Sequence, residues 1–205
     1  MSIEQTADKR RIRREVRQQR RALPQRAIRD RSRTVCRSLA RTGTFLRAER
    51  VALYLAADGE LDPRCLLDRA LAQGKRCYLP VINTRLGGRL FFAPYTPATP
   101  LRPNRFGIPE PAVPRRYWVM PLELDVVLCP LVAFTPDGGR LGMGGGYYDR
   151  TLARRRHAGR WRRPKVFGLA LELQKRATLP ADPWDVPLDG VATEQGLYPS
   201  PRAFR

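Results

Sequence analysis

The chain has 205 residues, 42% of them hydrophobic, and carries 39 Lys and Arg against 19 Asp and Glu, for a formal charge of +20. That length fits a single domain with one sizeable core, and no apolar run approaches the roughly 20 residues that a helical membrane span requires. No hydrophobic segment precedes Leu23 to serve as a secretory signal. The four cysteines (Cys36, Cys65, Cys77, Cys129) stand too far apart to suggest a zinc site or a disulfide framework, so a reduced, cytoplasmic protein is expected.

Over residues 9–23 the sparse apolar positions Ile12, Val16 and Leu23 predict a cationic helix with a thin inner stripe. Pro24 ends it, and Ile28, Val35, Cys36, Leu39 and Ala40 give a second helix its inner face. Residues 51–57 read as a buried strand closed by an Asp58-Gly59 turn. Asp62 is the expected N-cap, with Pro63 at the first position of a helix running to Gly74. Residues 77–82 and 90–95 follow as strands around a Gly87-Gly88 turn. Seven prolines between 94 and 114 predict an irregular segment laid over the domain. Residues 125–134 read as one continuous buried strand. A glycine-dense loop, a helix from about Tyr147, a strand over 166–171 and an extended tail over 180–201 complete the chain. Continuous apolar strands alternating with helices place it in the α/β class, with a mainly parallel sheet covered on both faces.

The charge is unevenly placed. All but four of the 39 cations are Arg, a skew that GC-rich coding also produces. Residues 1–37 hold 13 cations against four acids, and residues 154–165 hold seven and no acid. Two such clusters attract an anionic partner, either a nucleic acid or a multiply charged small molecule. No RNP-like or KH module is recognisable, yet a basic RNA-binding or ribosome-associated protein stays open as an alternative. The lone histidine, His157, sits inside a basic run without a placed catalytic partner and reads as solvated surface.

The most informative stretch runs from Phe134 to Asp149. It follows a buried strand and leads into a helix, and it holds glycines at 142, 144, 145 and 146. Such a loop lets successive backbone N–H groups approach an anion, which makes it a candidate phosphate cradle with Arg140 as a fork donor beside it. It is not a Walker A loop, since no Gly-Lys-Ser/Thr follows. It is not the dinucleotide fingerprint either, since Tyr147 stands where the third glycine belongs.

The string Arg140-Leu-Gly-Met-Gly-Gly-Gly-Tyr-Tyr-Asp149 resembles the signature of the 5-formyltetrahydrofolate cyclo-ligase (5,10-methenyltetrahydrofolate synthetase) family. Further pieces agree in order: Lys9 and Arg13, Leu55 with Asp58-Gly59-Glu60, Leu79-Pro80, the Asn-Arg-Phe-Gly-Ile-Pro-Glu-Pro of 104–111, residues 130–134, and Asp185. The resemblance implies a three-layer α/β/α sandwich like that of sugar-phosphate isomerases and CoA transferases. A phosphosugar isomerase on that fold, needing no ATP, is a second alternative. The implied reaction is ATP- and Mg²⁺-dependent closure of 5-formyltetrahydrofolate to 5,10-methenyltetrahydrofolate, with phosphorylation of the formyl oxygen, attack by N10, and release of ADP and phosphate.

The resemblance also implies residue roles. Lys9 and Arg13, four apart on one helical face, would meet ATP phosphates. Arg140, Leu141, Gly142, Met143, Gly144, Gly145, Gly146, Tyr147 and Tyr148 would hold ATP, with Arg140 and Tyr147 catalytic. Leu55, Glu60, Met143 and Tyr147 would line the folate pocket, Glu60 accepting from pterin N–H groups. Asp149 and Asp185 would bind Mg²⁺. The partners expected are small molecules, with neither membrane nor nucleic acid, and a monomer. Thr135 departs from the Asp common in the family, with Asp137 two residues on, and Met143 and Gly145 stand where some relatives carry Lys or Arg. Arg154, Arg155 and Arg156 are expected to edge the cleft and attract a polyglutamate tail.

Overall fold

The computed structural model describes residues 3–83, 87–157 and 163–201, and among these it builds one seven-stranded sheet. The chain opens with helices α1 (Ile3–Arg21), α2 (Gln25–Ala40) and α3 (Gly43–Arg47), then strand β1 (Arg50–Ala52). Helix α4 (Arg64–Ala72) leads to the β2–β3 hairpin (Arg76–Asn83, Arg89–Tyr95) and a small separate hairpin, β4 (Leu101–Pro103) and β5 (Pro109–Pro111). Strand β6 (Val126–Pro130), a two-stranded ribbon β7 (Ala133–Phe134) and β8 (Arg140–Leu141), helix α5 (Tyr147–Leu152) and β9 (Lys165–Leu169) follow. Strands β10 (Gly190–Thr193) and β11 (Gly196–Pro199) close the sheet, whose order is β11-β10-β9-β6-β1-β2-β3.

The inner pairings β10·β9, β9·β6, β6·β1 and β1·β2 are parallel, and only the edge strands β11 and β3 run antiparallel. The period-two alternation of a strand sorts the apolar residues between two layers. Val51, Leu128, Leu79 and Leu169 face α2, α3 and α4, whereas Ala52, Val127, Cys129 and Val166 face the side of α5. Both faces are buried, which is why these strands are apolar at every position. The α/β/α architecture read from the sequence is the one observed.

Several expectations need correction. The strand predicted over 51–57 ends at Ala52, and after one further bond, from the Leu53 N–H to the Tyr78 carbonyl at 3.0 Å, the chain leaves the sheet as a loop. The run 125–134 is two elements: β6 ends at Pro130, which has no N–H to donate, and β7 belongs to the separate ribbon. The proline-rich segment contains the β4–β5 hairpin. The tail is not merely extended, since β10 and β11 complete the sheet edge. Helix α4 starts at Arg64, with Pro63 in the cap position and the Asp62 carboxylate accepting from the Arg64 N–H at 3.0 Å.

Cysteines that are distant in sequence also meet. Packing α2 on α4 joins Cys36 and Cys65 as a disulfide, against the expectation of none, while Cys77 and Cys129 are free and buried. Thr135 is buried and donates to the Asp137 carboxylate while accepting from the Gly139 N–H at 3.1 Å, so the Thr–Asp pair shapes the β7–β8 turn. Arg155 is an interior residue and not the cleft-edge cation expected. It is buried against the Asp189 carboxylate, which also accepts from the Val166 N–H at 2.7 Å. The side chains of Arg156 and His157, and residues 158–162 of the second basic cluster, lie outside the described residues.

Candidate active site

Strands β1 and β6 are neighbours, and the chain leaves them in opposite directions along the sheet, towards β2 in one case and β9 in the other. Their crossovers use α4 and α5 on opposite faces, so the loops that follow them part and leave a crevice, the usual ligand site of an open α/β sheet. Here it is a cleft of about 840 Å³. The loop after β1, the glycine loop after β8, the face of α1, the tip of the β4–β5 hairpin and residues 182–185 form its walls.

Every residue expected from the sequence to bind ATP, folate or metal borders this one cleft, whereas Arg154 and Arg155, expected at its edge, do not line it. Helix α1 brings Lys9 and Arg13 to it, and Arg13 Nε donates to the Gly142 carbonyl at 2.8 Å, latching the helix to the glycine loop. Gly144 and Gly146 take left-handed backbone, with φ of 104° and 61°, which a side chain would resist. A Cβ on Gly144 would meet the Arg13 guanidinium carbon at 3.4 Å. Burial and the neighbouring Arg10 lower the Arg13 pKa, opposed by Asp182 and Asp185. The loop is therefore backbone-rich and open to an anion, bordered by two held cations, Arg13 and Arg150, the latter donating to the Gly145 carbonyl at 2.7 Å.

Arg140 stands below the loop with its side chain only 4% exposed. It donates to Asp149 Oδ1 at 2.5 Å and lies over the Tyr148 ring, 5.6 Å from the centroid. The same Asp149 oxygen accepts from the Val186 N–H at 3.1 Å. Asp185 Oδ2 accepts from the Asp182 N–H at 2.8 Å, and burial followed by the charge of Asp149 holds its pKa up against that bond. The two carboxylates thus share one side of the cleft and sense each other. Lys9 lies beside them, donating to Asp182 at 2.7 Å with Asp185 at 4.0 Å. Among the described residues, no group of three or more His, Cys, Asp or Glu is arranged to hold a metal.

The opposite wall carries Leu55 and Glu60. Glu60 Oε2 accepts from the Ala57 N–H at 3.1 Å, and the Glu60 N–H donates back to the Ala57 carbonyl at 2.9 Å, closing a tight turn. Burial raises the Glu60 pKa, partly offset by that N–H and by the charge of Arg20. Aromatic groups cover the mouth. Phe106 meets Tyr147 edge-on at 6.0 Å, the Tyr147 hydroxyl accepts from Arg105, and burial pushes the Tyr148 hydroxyl pKa up.

Sequence reasoning left other wall residues without a role. Asn104 donates to Glu110 Oε1 at 2.8 Å, and the same oxygen accepts from the Ile82 N–H at 3.1 Å, tying the β4–β5 hairpin to β2. Asp182 was not proposed, and its signal was only its place three residues before Asp185. Arg20 is fully buried, and the helix period could have found it: Ile12, Val16 and Arg20 fall four apart on the inner stripe.

Comparison with known proteins bears on the whole chain. The model of the 5-formyltetrahydrofolate cyclo-ligase family matches residues 5–194. The 5-formyltetrahydrofolate cyclo-ligase of Escherichia coli (strain K12) is 40% identical over 184 residues, covering 89% of this chain and 98% of that one. Its counterpart in Haemophilus influenzae is 43% identical over 144 residues, 69% of this chain and 73% of the relative. Among solved structures, the 5,10-methenyltetrahydrofolate synthetase of Aquifex aeolicus superposes with a TM-score of 0.78 at 31% identity, covering 93% of this chain and 92% of that one. The synthetase of Mycoplasma pneumoniae superposes with a TM-score of 0.70 at 26% identity, over 91% and 99% of the two chains.

Proposed function

The chain belongs to the 5-formyltetrahydrofolate cyclo-ligase family, and we propose that it closes 5-formyltetrahydrofolate to 5,10-methenyltetrahydrofolate at the expense of ATP, with Mg²⁺, in the cleft between β1 and β6. A formamide oxygen is a poor leaving group, so ring closure needs it converted to a phosphate ester before N10 attacks the formyl carbon and phosphate departs. Such a reaction asks for positioning and charge neutralisation more than for acid–base work.

The observation that carries this reading is the joining of two dissimilar walls in one cavity. On one side stand the glycine loop and the Arg13 guanidinium latched to it, a cradle for phosphate oxygens. On the other stand Leu55 and Glu60, apolar surface beside a half-buried carboxylate suited to a pterin edge. Arg140 and Tyr147 line the same cleft, and in this reading they act on the transferred group. Lys9 reaches the triphosphate by exchanging Asp182 for a phosphate oxygen.

Asp149 and Asp185 fit a magnesium ion. They are hard oxygen donors on one side of the cleft, and a cation bound there would favour the ionised Asp185 carboxylate, whose pKa burial and, after it, the charge of Asp149 raise. Bound there with phosphate oxygens, the ion would neutralise charge on the triphosphate. Purified protein given 5-formyltetrahydrofolate should produce the absorbance of the methenyl product only with both ATP and Mg²⁺. No product under those conditions, together with tight, salt-sensitive RNA binding, would replace this reading with the nucleic-acid one.

A further inference from the structure

Arg20 is fully buried at the end of α1, and its guanidinium is directed at the loop that carries Glu60. It donates to the Asp58 carbonyl at 2.8 Å, to Asp58 Oδ2 at 3.3 Å and to the Leu131 carbonyl at 3.4 Å. Its Nε has no hydrogen-bond partner among the described residues. A buried cation that is not fully satisfied is costly, and an apolar side chain of similar volume would stabilise the core as well or better. Stability alone does not account for it.

What Arg20 grips is a strained turn. Asp58 is the one non-glycine residue with positive φ among those described, at 52°, and Gly59 beside it is at 72°. Two further arginines of α1 close on the same carboxylate: Arg17 Nε at 2.6 Å and Arg21 Nε at 2.7 Å. Burial pulls the Asp58 pKa up, but Arg17 and Arg21 outweigh it and hold the carboxyl below its ordinary value. Asp58 lies inside the Ala57–Glu60 turn, so fixing its backbone fixes where the Glu60 carboxylate begins. The Leu131 carbonyl also accepts from Gln174 Nε2 at 2.8 Å, which anchors the clamp to the far side of β6.

We infer that Arg20 and Asp58 are positioning residues, a clamp from α1 that sets the Glu60 carboxylate at the substrate edge. The inference rests on the proposed role of Glu60. The test compares Arg20→Met, Asp58→Asn and Glu60→Gln, with the double variant Arg20→Met/Glu60→Gln, each measured for kcat, for both KM values and for melting temperature. Glu60→Gln should raise the folate KM about tenfold, the scale of one charge-assisted hydrogen bond.

Arg20→Met and Asp58→Asn should each raise it comparably, with the ATP KM within about twofold, since Arg13 lies about 10 Å earlier along the helix. The double variant should be no worse than Glu60→Gln alone. Asp58→Asn keeps size at a partly exposed site while removing the charge and one of the two oxygens that accept from the α1 arginines, so it carries the test if Arg20→Met fails to fold. A normal folate KM in Glu60→Gln overturns the role of Glu60 and the clamp with it. A raised KM in Glu60→Gln but a normal one in Asp58→Asn overturns the clamp alone. Equal shifts of the folate and ATP KM values in Arg20→Met and Asp58→Asn likewise reduce it to a general structural contact.

Discussion

Two glycines two residues apart separate backbone strain from mere space. Gly144 has φ of 104°, and a Cβ there would stand 3.4 Å from the Arg13 guanidinium carbon. Gly142 lies outside the left-handed region, and its Cβ would meet nothing within 4 Å. Gly144→Ala should therefore cost about 1–3 kcal/mol of backbone strain. At this chain length each kcal/mol moves the melting temperature by about 2–4 °C, so a fall of about 2–12 °C is expected. The added methyl itself only touches the Arg13 guanidinium, but the loop shift that relieves the φ strain moves the Gly142 carbonyl away from Arg13 Nε and breaks a bond of 2.8 Å. Charge-assisted bonds of this kind are worth about 1.5–3 kcal/mol, so the ATP KM should rise about tenfold or more. Gly142→Ala should leave stability unchanged or raise it by up to about 1 kcal/mol, because it restricts only the unfolded chain. Thermal unfolding and ATP titration at saturating folate read both effects. Parental melting and ATP KM in Gly144→Ala, or an equal loss of stability in Gly142→Ala, would refute the reasoning.

Asp149→Asn should shift the Mg²⁺ titration to higher concentration, because it keeps size and removes charge, and a titration identical to that of the parent would take Asp149 out of the metal site. Arg155→Met should lower the melting temperature by about 6–20 °C, since breaking a buried ion pair costs about 3–5 kcal/mol. It should also leave any preference for folate glutamate-tail length unchanged, and a lost preference would return Arg155 to the substrate. Glu60 accepts fully from N–H donors only when ionised, and burial raises its pKa, so binding is lost as pH falls through that raised value. The folate KM should thus begin to climb above the ordinary glutamate range of about 4.3. Glu60→Gln should abolish that inflection, and an inflection that persists in it belongs to another group.

Much of the fold was legible because its signals are local. The apolar stripe of α2 at Ile28, Val35, Cys36, Leu39 and Ala40 is buried as the spacing implied. Apolar runs such as 77–82 need both faces covered, and that dictated a parallel sheet between helix layers. What could not be read depends on contacts across the chain. A run of buried residues does not say where pairing stops, so 125–134 looked like one strand although the sheet continues only to Pro130. The Cys36–Cys65 pairing follows from how α2 meets α4. Charge was the least legible property. Arg154, Arg155, Arg13 and Arg20 look alike in sequence, yet one is exposed, one closes a buried pair, one latches the glycine loop and one grips a turn.

The Lys9–Asp182 ion pair spans 173 residues. On a ribosome adding about 5–20 residues per second, the second partner follows the first by about 9–35 s. Through that interval Arg17, Arg20 and Arg21 of the first helix can already close on Asp58, but Lys9 has no acidic partner and faces solvent. The cleft is therefore a late product of synthesis, completed only when the segment before β10 folds back across the sheet. Contacts so distant in sequence slow folding, because a long loop must be ordered before they reward it. A nascent chain stalled before Asp182 would hold the glycine loop and the Glu60 turn yet lack the acidic wall at residues 182–185 that borders them both.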